Sequence, residues 1–137
     1  MKIDISGLSE GLHQYTLTAE SSEIGLGEQF RETVRVFLTL DKSNRQIHTK
    51  VRVETVGSFC CDRCIDEFTR QVRNAYQMFY TSEEVDQGLC EVDEVQFVSP
   101  DVREIDIGDD VRQIVMLAIP QKLLCKESCA GLCPRCG

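Results

Sequence analysis

The sequence lacks several features that would point to a membrane, an export route or a catalytic centre. No apolar run approaches the roughly 20 residues that a membrane-spanning helix needs. The opening residues, MKIDISGLSEG, have no apolar core of the kind that a signal peptide requires. No serine nucleophile elbow, no histidine beside a cysteine motif and no phosphate-binding glycine loop is present. We therefore expect a cytoplasmic protein that is not an enzyme.

The composition is that of a soluble globular protein about one domain long, with 137 residues, 42% hydrophobic and 28% charged. Its net charge of -8 is unevenly spread, because residues 81–110 carry 11 acidic residues against one basic one. Residues 111–137 carry one acidic residue against four basic ones. A uniformly acidic surface would repel nucleic acid, whereas a basic tail can still contact phosphate or an acidic partner. The charge pattern therefore leaves direct RNA binding open.

Alternating polar and apolar residues predict a β-rich fold. Residues 2–5 and 15–19 indicate two short strands, and the stretches 34–40 and 47–55 around the turn sequence DKSNR indicate an antiparallel hairpin with one solvated face. Residues 68–80 fit a strand or a helix, and their aromatic content favours a strand that extends the sheet. For the acidic stretch SEEVDQGLCEVDEV we expect a solvated loop leading into a short strand.

One amphipathic helix is predicted after Pro100. Apolar residues recur there with the spacing of a helix face: Ile107, Val111, Ile114, Val115 and Ala118. Pro120 limits its extension. The expected fold is therefore α+β: an antiparallel β-rich domain, either a hairpin-based sheet or a partial barrel, over residues 1–120, with this helix near its end and a short cysteine-rich, zinc-knuckle-like tail over residues 121–137.

The eight cysteines include two groups with metal-ligand spacing. Cys61 and Cys64 form a C-x2-C turn directly after the hairpin, which supplies two thiolates with little loop entropy to lose. The tail ends in LCKESCAGLCPRCG. Spacing alone is compatible with two alternative zinc sites. One is local to the tail and consists of Cys125, Cys129, Cys133 and Cys136. The other joins the tail to the hairpin and consists of Cys61, Cys64, Cys133 and Cys136.

The other candidate residues carry weaker signals. Cys60 and Cys90 fit small buried hydrophobes, and His13 and His48 fit surface residues. Arg63, inside CDRC, is expected to point outward, where its planar guanidinium can bind a phosphate or a carboxylate of a partner. A salt bridge to a neighbouring acidic residue is the alternative for Arg63.

Taken together, MKIDISGL, the CDRC turn, DIGDDVRQIVMLAIP and LCKESCAGLCPRCG resemble the YceD-like family of large ribosomal RNA subunit accumulation proteins. The resemblance implies a non-enzymatic factor in ribosome assembly whose partner is a ribosomal protein, a processing factor or the large-subunit rRNA. Family members without the cysteine tail keep a CxRC turn, which favours the local four-cysteine site. Two alternatives are a thiol redox protein or sensor that uses Cys61 and Cys64, and a structural zinc module that binds a protein partner.

Overall fold

The protein, described by a computed structural model over residues 1–44, 46–82, 95–133 and 135–137, consists of strands and one helix. The elements in chain order are β1 (Lys2–Asp4), β2 (Gly11–Ala19), β3 (Val34–Lys42), β4 (Gln46–Cys60), β5 (Glu67–Thr81), β6 (Val95–Phe97), β7 (Glu104–Asp106) and α1 (Gly108–Leu117). The predicted α+β class, with antiparallel sheet and one C-terminal helix, is confirmed. The acidic stretch 83–94, including Cys90, lies outside the described residues.

Five strands form the main sheet in the order β2-β3-β4-β5-β6. The first four are joined antiparallel, and β5 pairs with β6 in parallel. The stretch that fitted both a helix and a strand is β5, and it pairs with β4 along fifteen residues, from Glu67 opposite Cys60 to Thr81 opposite Gln46. The sheet is therefore dominated by one long hairpin, whose tip at residues 61–66 reaches well beyond β3.

A smaller layer covers one face of this sheet. Strands β1 and β7 pair antiparallel, with Ile3 opposite Ile105, and both side chains are buried. Strand β7 was not predicted from the sequence. Helix α1 packs on β4 and β5 through Val111 and Val115, which are fully buried. Each such apolar side chain contributes about 1.5–3 kcal/mol to folding.

The opposite face of the main sheet carries polar, charged and aromatic side chains, and we call it the open face. Its side chains are exposed or partly exposed. They form successive rows across β2 to β5: Thr18, Arg35, Glu54 and Arg73; Thr16, Phe37, Arg52 and Ala75; Gln14, Thr39, Lys50 and Gln77; Leu12, Asp41, His48 and Phe79. This is the solvated face that the alternation in the hairpin predicts.

No helix within the described ranges has the length and apolar character needed to cross a membrane. The division of the chain into a domain of residues 1–120 and a tail of residues 121–137 stays a prediction.

Candidate metal centre

The tip of the long hairpin is a tight turn that brings two cysteines together. The Cys61 N–H donates to the Asp66 carbonyl at 2.9 Å, and the Ile65 N–H donates to the Cys61 carbonyl at 2.9 Å. Ile65 closes the turn with a φ of 66°, in the left-handed region that β-branched residues rarely enter. The turn places the thiols of Cys61 and Cys64 next to each other.

The chain after α1 returns to this turn and is hydrogen-bonded to it. Asp62 holds Leu123 twice: its N–H donates to the Leu123 carbonyl at 2.8 Å, and its carboxylate accepts the Leu123 N–H at 2.6 Å. Further along, the Leu132 N–H donates to the Arg63 carbonyl at 3.1 Å. The guanidinium of Arg63 donates to the Cys129 carbonyl at 2.9 Å. Residues 123–132 are therefore fastened to the hairpin tip.

This docking gathers four sulfur atoms, those of Cys61, Cys64, Cys125 and Cys129, all within 4.8 Å of one another. The Sγ atoms of Cys61 and Cys129 are 3.8 Å apart, and those of Cys64 and Cys125 are 3.7 Å apart. Four thiolates at about 2.3 Å from a tetrahedral zinc ion lie about 3.8 Å from one another. A disulfide requires a sulfur separation of about 2.05 Å. The group can hold a metal ion, and these two sulfur separations match those of a tetrahedral thiolate site.

The surroundings of the four sulfurs favour a bound cation. Cys61 and Cys129 are 2% and 5% exposed, and Cys64 and Cys125 are partly exposed. Hydrogen bonds from the backbone N–H groups of Cys125, Arg63 and Cys64 lower the pKa of Cys61 to about 6, although burial opposes the shift. Burial raises the pKa of Cys125, and its thiol neighbours Cys61 and Cys129 add to the effect. Four thiolates cannot stay ionised here without a positive charge between them.

The pKa of Cys64 is shifted in the opposite direction from that of Cys61. The N–H of Asp66 acts to lower it, but burial, a hydrogen bond with the Asp66 side chain and the neighbouring thiols outweigh that effect, so the pKa of Cys64 is raised. Without a metal ion, ionisation of one thiol of this turn therefore disfavours ionisation of the other.

The grouped cysteines differ from both sets expected from spacing. The structure combines the tail pair Cys125 and Cys129 with the hairpin pair Cys61 and Cys64, whereas Cys133 and Cys136 are exposed and lie outside the group. The physical reason is the register of docking: because Leu123 is bonded to Asp62, the cysteines that follow it most closely reach the turn first. Asp62, in the CDRC motif, is the residue to which the tail is hydrogen-bonded, but the cysteine spacing does not indicate that its partner is Leu123.

Two other predicted residues have definite positions. Cys60 is exposed, not buried as expected, because β4 alternates and Cys60 lies between the buried residues Phe59 and Cys61. Arg63 is exposed, and its Nη1 donates to the Cys129 carbonyl of the tail and not to one of the neighbouring acidic residues. Partner binding by Arg63 stays a prediction.

Comparison with known proteins gives a family match over more than half of the chain. The family model described as "Large ribosomal RNA subunit accumulation protein YceD" matches residues 49–137. A similar curated protein is the "Large ribosomal RNA subunit accumulation protein YCED homolog 1, chloroplastic" of Arabidopsis thaliana, which is 23% identical over 130 residues. The match covers 76% of this chain and 40% of that relative, so the chain spans about two fifths of the relative's length. No solved structure matches the chain significantly.

Proposed function

Because the chain belongs to the family of large ribosomal RNA subunit accumulation proteins named YceD, we propose that it is a non-enzymatic accessory factor that supports accumulation of the large-subunit rRNA during ribosome assembly. It acts in the cytoplasm, with no membrane partner and no small-molecule substrate. Its direct partner is a ribosomal protein, a processing factor or the rRNA itself, and the exposed Arg63 beside the metal centre contributes to that contact. The family match carries this proposal.

The metal centre is proposed to hold one structural zinc ion through Cys61, Cys64, Cys125 and Cys129. A set of four cysteines leaves no open position for a substrate or an activated water, so it is a structural and not a catalytic site. The ligands come from the hairpin tip and from the tail, so the ion closes a long loop between the sheet and the end of the chain. Ligand geometry and the N–H groups aimed at Cys61 support this assignment.

The ligand set is tested by the metal content of protein purified without chelator. We expect about one zinc ion per chain in the wild type, its loss in the Cys61→Ser and Cys129→Ser variants, and its retention in Cys133→Ser. The Cys133→Ser variant is the matched control because it changes the same residue type in the same tail. Loss of zinc in Cys133→Ser would instead support the sites expected from spacing.

The cellular role is tested by the ratio of large-subunit to small-subunit rRNA after removal of the gene. We expect the ratio to fall and to recover with the wild-type chain. The Cys61→Ser chain should restore it only partly, because the tail is released from the hairpin. A ratio that does not change on removal would contradict the proposed function.

One observation favours a thiol redox role as a second candidate: the lowered pKa of Cys61, with Cys64 beside it in the same turn. The two proposals differ in how fast an alkylating reagent labels Cys61 in the native protein. A metal thiolate at 2% exposure is labelled slowly until a chelator is added. Rapid labelling without chelator would favour the redox role.

A further inference from the structure

The open face carries a concentration of positive charge on an acidic protein. Four basic side chains project from it, namely Arg35, Lys50, Arg52 and Arg73, all of them exposed. Its acidic side chains in the rows across β2 to β5 are Asp41 and Glu54. The chain as a whole has a net charge of -8. The open face is therefore locally positive, and a local field of this kind attracts a polyanion even when the net charge is negative.

Glu54 does not neutralise its neighbours. The carboxylate lies 3.8 Å from Arg35, 3.8 Å from Arg52 and 3.9 Å from Arg73, and the side chain of Glu54 is 17% exposed. One negative charge is shared by three guanidinium groups, and each of these is more than half exposed. The ion pairs hold the guanidinium groups in place while most of their positive charge remains available to a ligand.

Two stacked pairs of planar groups lie on the same face. The guanidinium of Arg52 lies over the ring of Phe37, 4.6 Å from its centroid. The rings of His48 and Phe79 are stacked with centroids 4.0 Å apart and an angle of 12° between their planes. Arg52 and His48 are four residues apart on β4, or about 13 Å along the strand. Each pair joins adjacent strands, so the planar groups are fixed before any ligand arrives.

A groove lies on the open face beside the Arg52–Phe37 pair. It has a volume of about 520 Å³ and is lined by Phe37, Lys50 and Arg52 together with side chains that donate or accept hydrogen bonds: Gln14, Thr16, Thr39 and Gln77. The amide oxygen of Gln77 is 3.0 Å from Nε2 of His48, which orients that amide. The groove therefore combines cations, planar surfaces and amide and hydroxyl groups in one concave strip of sheet.

From these contacts we infer that the open face is a binding surface for single-stranded RNA. Bases stack on aromatic rings and on guanidinium planes, while phosphates pair with the surrounding cations. Amides and hydroxyls then bond base edges and the 2′-hydroxyl. A duplex keeps its bases stacked inside and offers nothing to the planar pairs, so the unpaired strand is the form that fits. The inference rests on the proposed function for the choice of RNA among polyanions.

Binding is measured by fluorescence anisotropy with the full zinc-loaded chain and a labelled single-stranded RNA of about 12 nucleotides, within the site sizes known for single-strand binders. The logarithm of the association constant should fall with the logarithm of salt concentration with a slope of about -3, because four cations each release about 0.7 counterion from a single strand. A duplex of the same length should bind at least about tenfold more weakly, because it cannot stack on the planar pairs.

The open face is tested with the Lys50→Gln/Arg52→Gln double variant and with Phe37→Leu. The double variant should bring the slope to about -1.4. Phe37→Leu should weaken binding by about 5-fold to 150-fold, the range for loss of one stacked base, and should leave the slope unchanged. The matched control is Lys2→Gln/Arg103→Gln, which removes two exposed charges from the other side of the molecule and should alter neither quantity.

Three outcomes would overturn the inference. The first is equal affinity for the single strand and the duplex. The second is an equal loss of binding in the control and in the open-face double variant, since that would show a general charge effect. The third is no saturable binding of RNA at about 50 mM salt, where electrostatic binding is strong.

The same variants separate this inference from the proposed function. If removal of the gene lowers the rRNA ratio but the purified chain does not bind RNA, the proposed function stands and the open face has another role. If the purified chain binds RNA through Phe37 and Arg52 but removal leaves the rRNA ratio unchanged, the RNA-binding face stands and the proposed function fails.

Discussion

At the scale of single residues, Ile65 combines two unfavourable features. Its backbone is left-handed, with a φ of 66°, and its side chain is 65% exposed. A left-handed conformation costs a residue with a Cβ about 1–2 kcal/mol, and an exposed isoleucine recovers little of this by burial. The strain is required by the turn, because the chain must reverse directly after Cys64 to pair Glu67 with Cys60.

Replacing Ile65 by glycine should therefore raise the free energy of unfolding. The relief of about 1–2 kcal/mol is partly offset by the greater flexibility of glycine in the unfolded chain, about 0.5–1 kcal/mol, which leaves a gain of up to about 1.5 kcal/mol. Chemical denaturation of the zinc-loaded protein measures it. Ile65→Ala, which keeps a Cβ and hence the strain, is the control and should show no gain. A glycine variant less stable than the alanine variant would contradict the argument.

Asp106 provides a prediction about pH. Its carboxylate accepts hydrogen bonds from the amino group of Met1 at 2.7 Å and from the Gly108 N–H at 2.9 Å. These bonds lower the pKa of Asp106 below 3.8, its value in an unstructured chain. A carboxyl group with a lowered folded-state pKa stabilises the protein above the unfolded value, and the contribution is lost as the pH falls through the folded value.

Asp106→Asn should consequently be less stable than the wild type near neutral pH by at most about 1 kcal/mol, because the side chain is 55% exposed and water screens the pair. The difference in unfolding free energy should be constant between about pH 5 and pH 7 and should shrink below pH 3.8. Denaturation of both proteins across this range measures it. A difference that grows on acidification would have the wrong sign for a lowered pKa.

At the scale of elements, the tail depends on Gly131 for its approach to the hairpin tip. Gly131 has a φ of 81°, and a Cβ at this position would lie 3.3 Å from the Arg63 carbonyl oxygen. That same oxygen accepts the Leu132 N–H. A side chain at residue 131 therefore meets both backbone strain and a close contact with the turn.

Gly131→Ala should weaken this end of the tail without removing the metal. We expect faster hydrogen exchange of the Leu132 amide, by about 5-fold to 30-fold for a cost of about 1–2 kcal/mol, with zinc content unchanged. Gly7→Ala is the matched control because a Cβ there meets nothing within 4 Å. Equal exchange rates at Leu132 in the wild type and the Gly131→Ala variant would contradict the proposed role of the glycine.

The strands were predictable from the sequence to the extent that they are long and half buried. The alternation around Val36 and Val51 reports the two faces of β3 and β4 directly, because every second residue must enter the core. Strand β7 was not predicted, because its three residues come directly before Ile107, where the helical spacing begins. The parallel pairing of β6 with β5 was also not predicted, because the direction of strand pairing depends on the path of the chain and not on the residues of the strand.

The metal centre was only half predictable for a related reason. Cysteine spacing shows which pairs can converge on one ion, and both C-x2-C pairs satisfy that condition. It does not show which segment docks on which. That choice is made by long-range hydrogen bonds, from Leu123 to Asp62 and from Arg63 to Cys129, whose partners are 61 and 66 residues apart. None of these long-range hydrogen bonds produces a pattern that can be recognised in the local sequence.

At the scale of the whole molecule, β4 joins the two candidate functional regions. Arg52 and Cys61 are nine residues apart, so Arg52 on the open face and the metal centre are separated by about 30 Å along one extended strand. The hydrophobic core under the long hairpin extends as far as Phe59, two residues before Cys61. The tip is stabilised by the tail, and the tail by the four cysteines. Loss of the ion should therefore release the tail and leave the sheet folded.

Removal of zinc by a chelator, followed by limited trypsin digestion, tests this separation. Cleavage should appear rapidly after Lys122 and Lys126, which flank Cys125 and are held only while the tail is docked. Cleavage after Lys50 and Arg52 should stay slow, because β4 remains paired on both sides with the core beneath it. The zinc-loaded Cys133→Ser variant should be cleaved as slowly as the zinc-loaded wild type, since the thiol of Cys133 lies outside the group of four cysteines. Equal acceleration of cleavage after Arg52 and after Lys126 would mean that the ion stabilises the whole domain. The sheet that carries the open face would then not be stable without zinc.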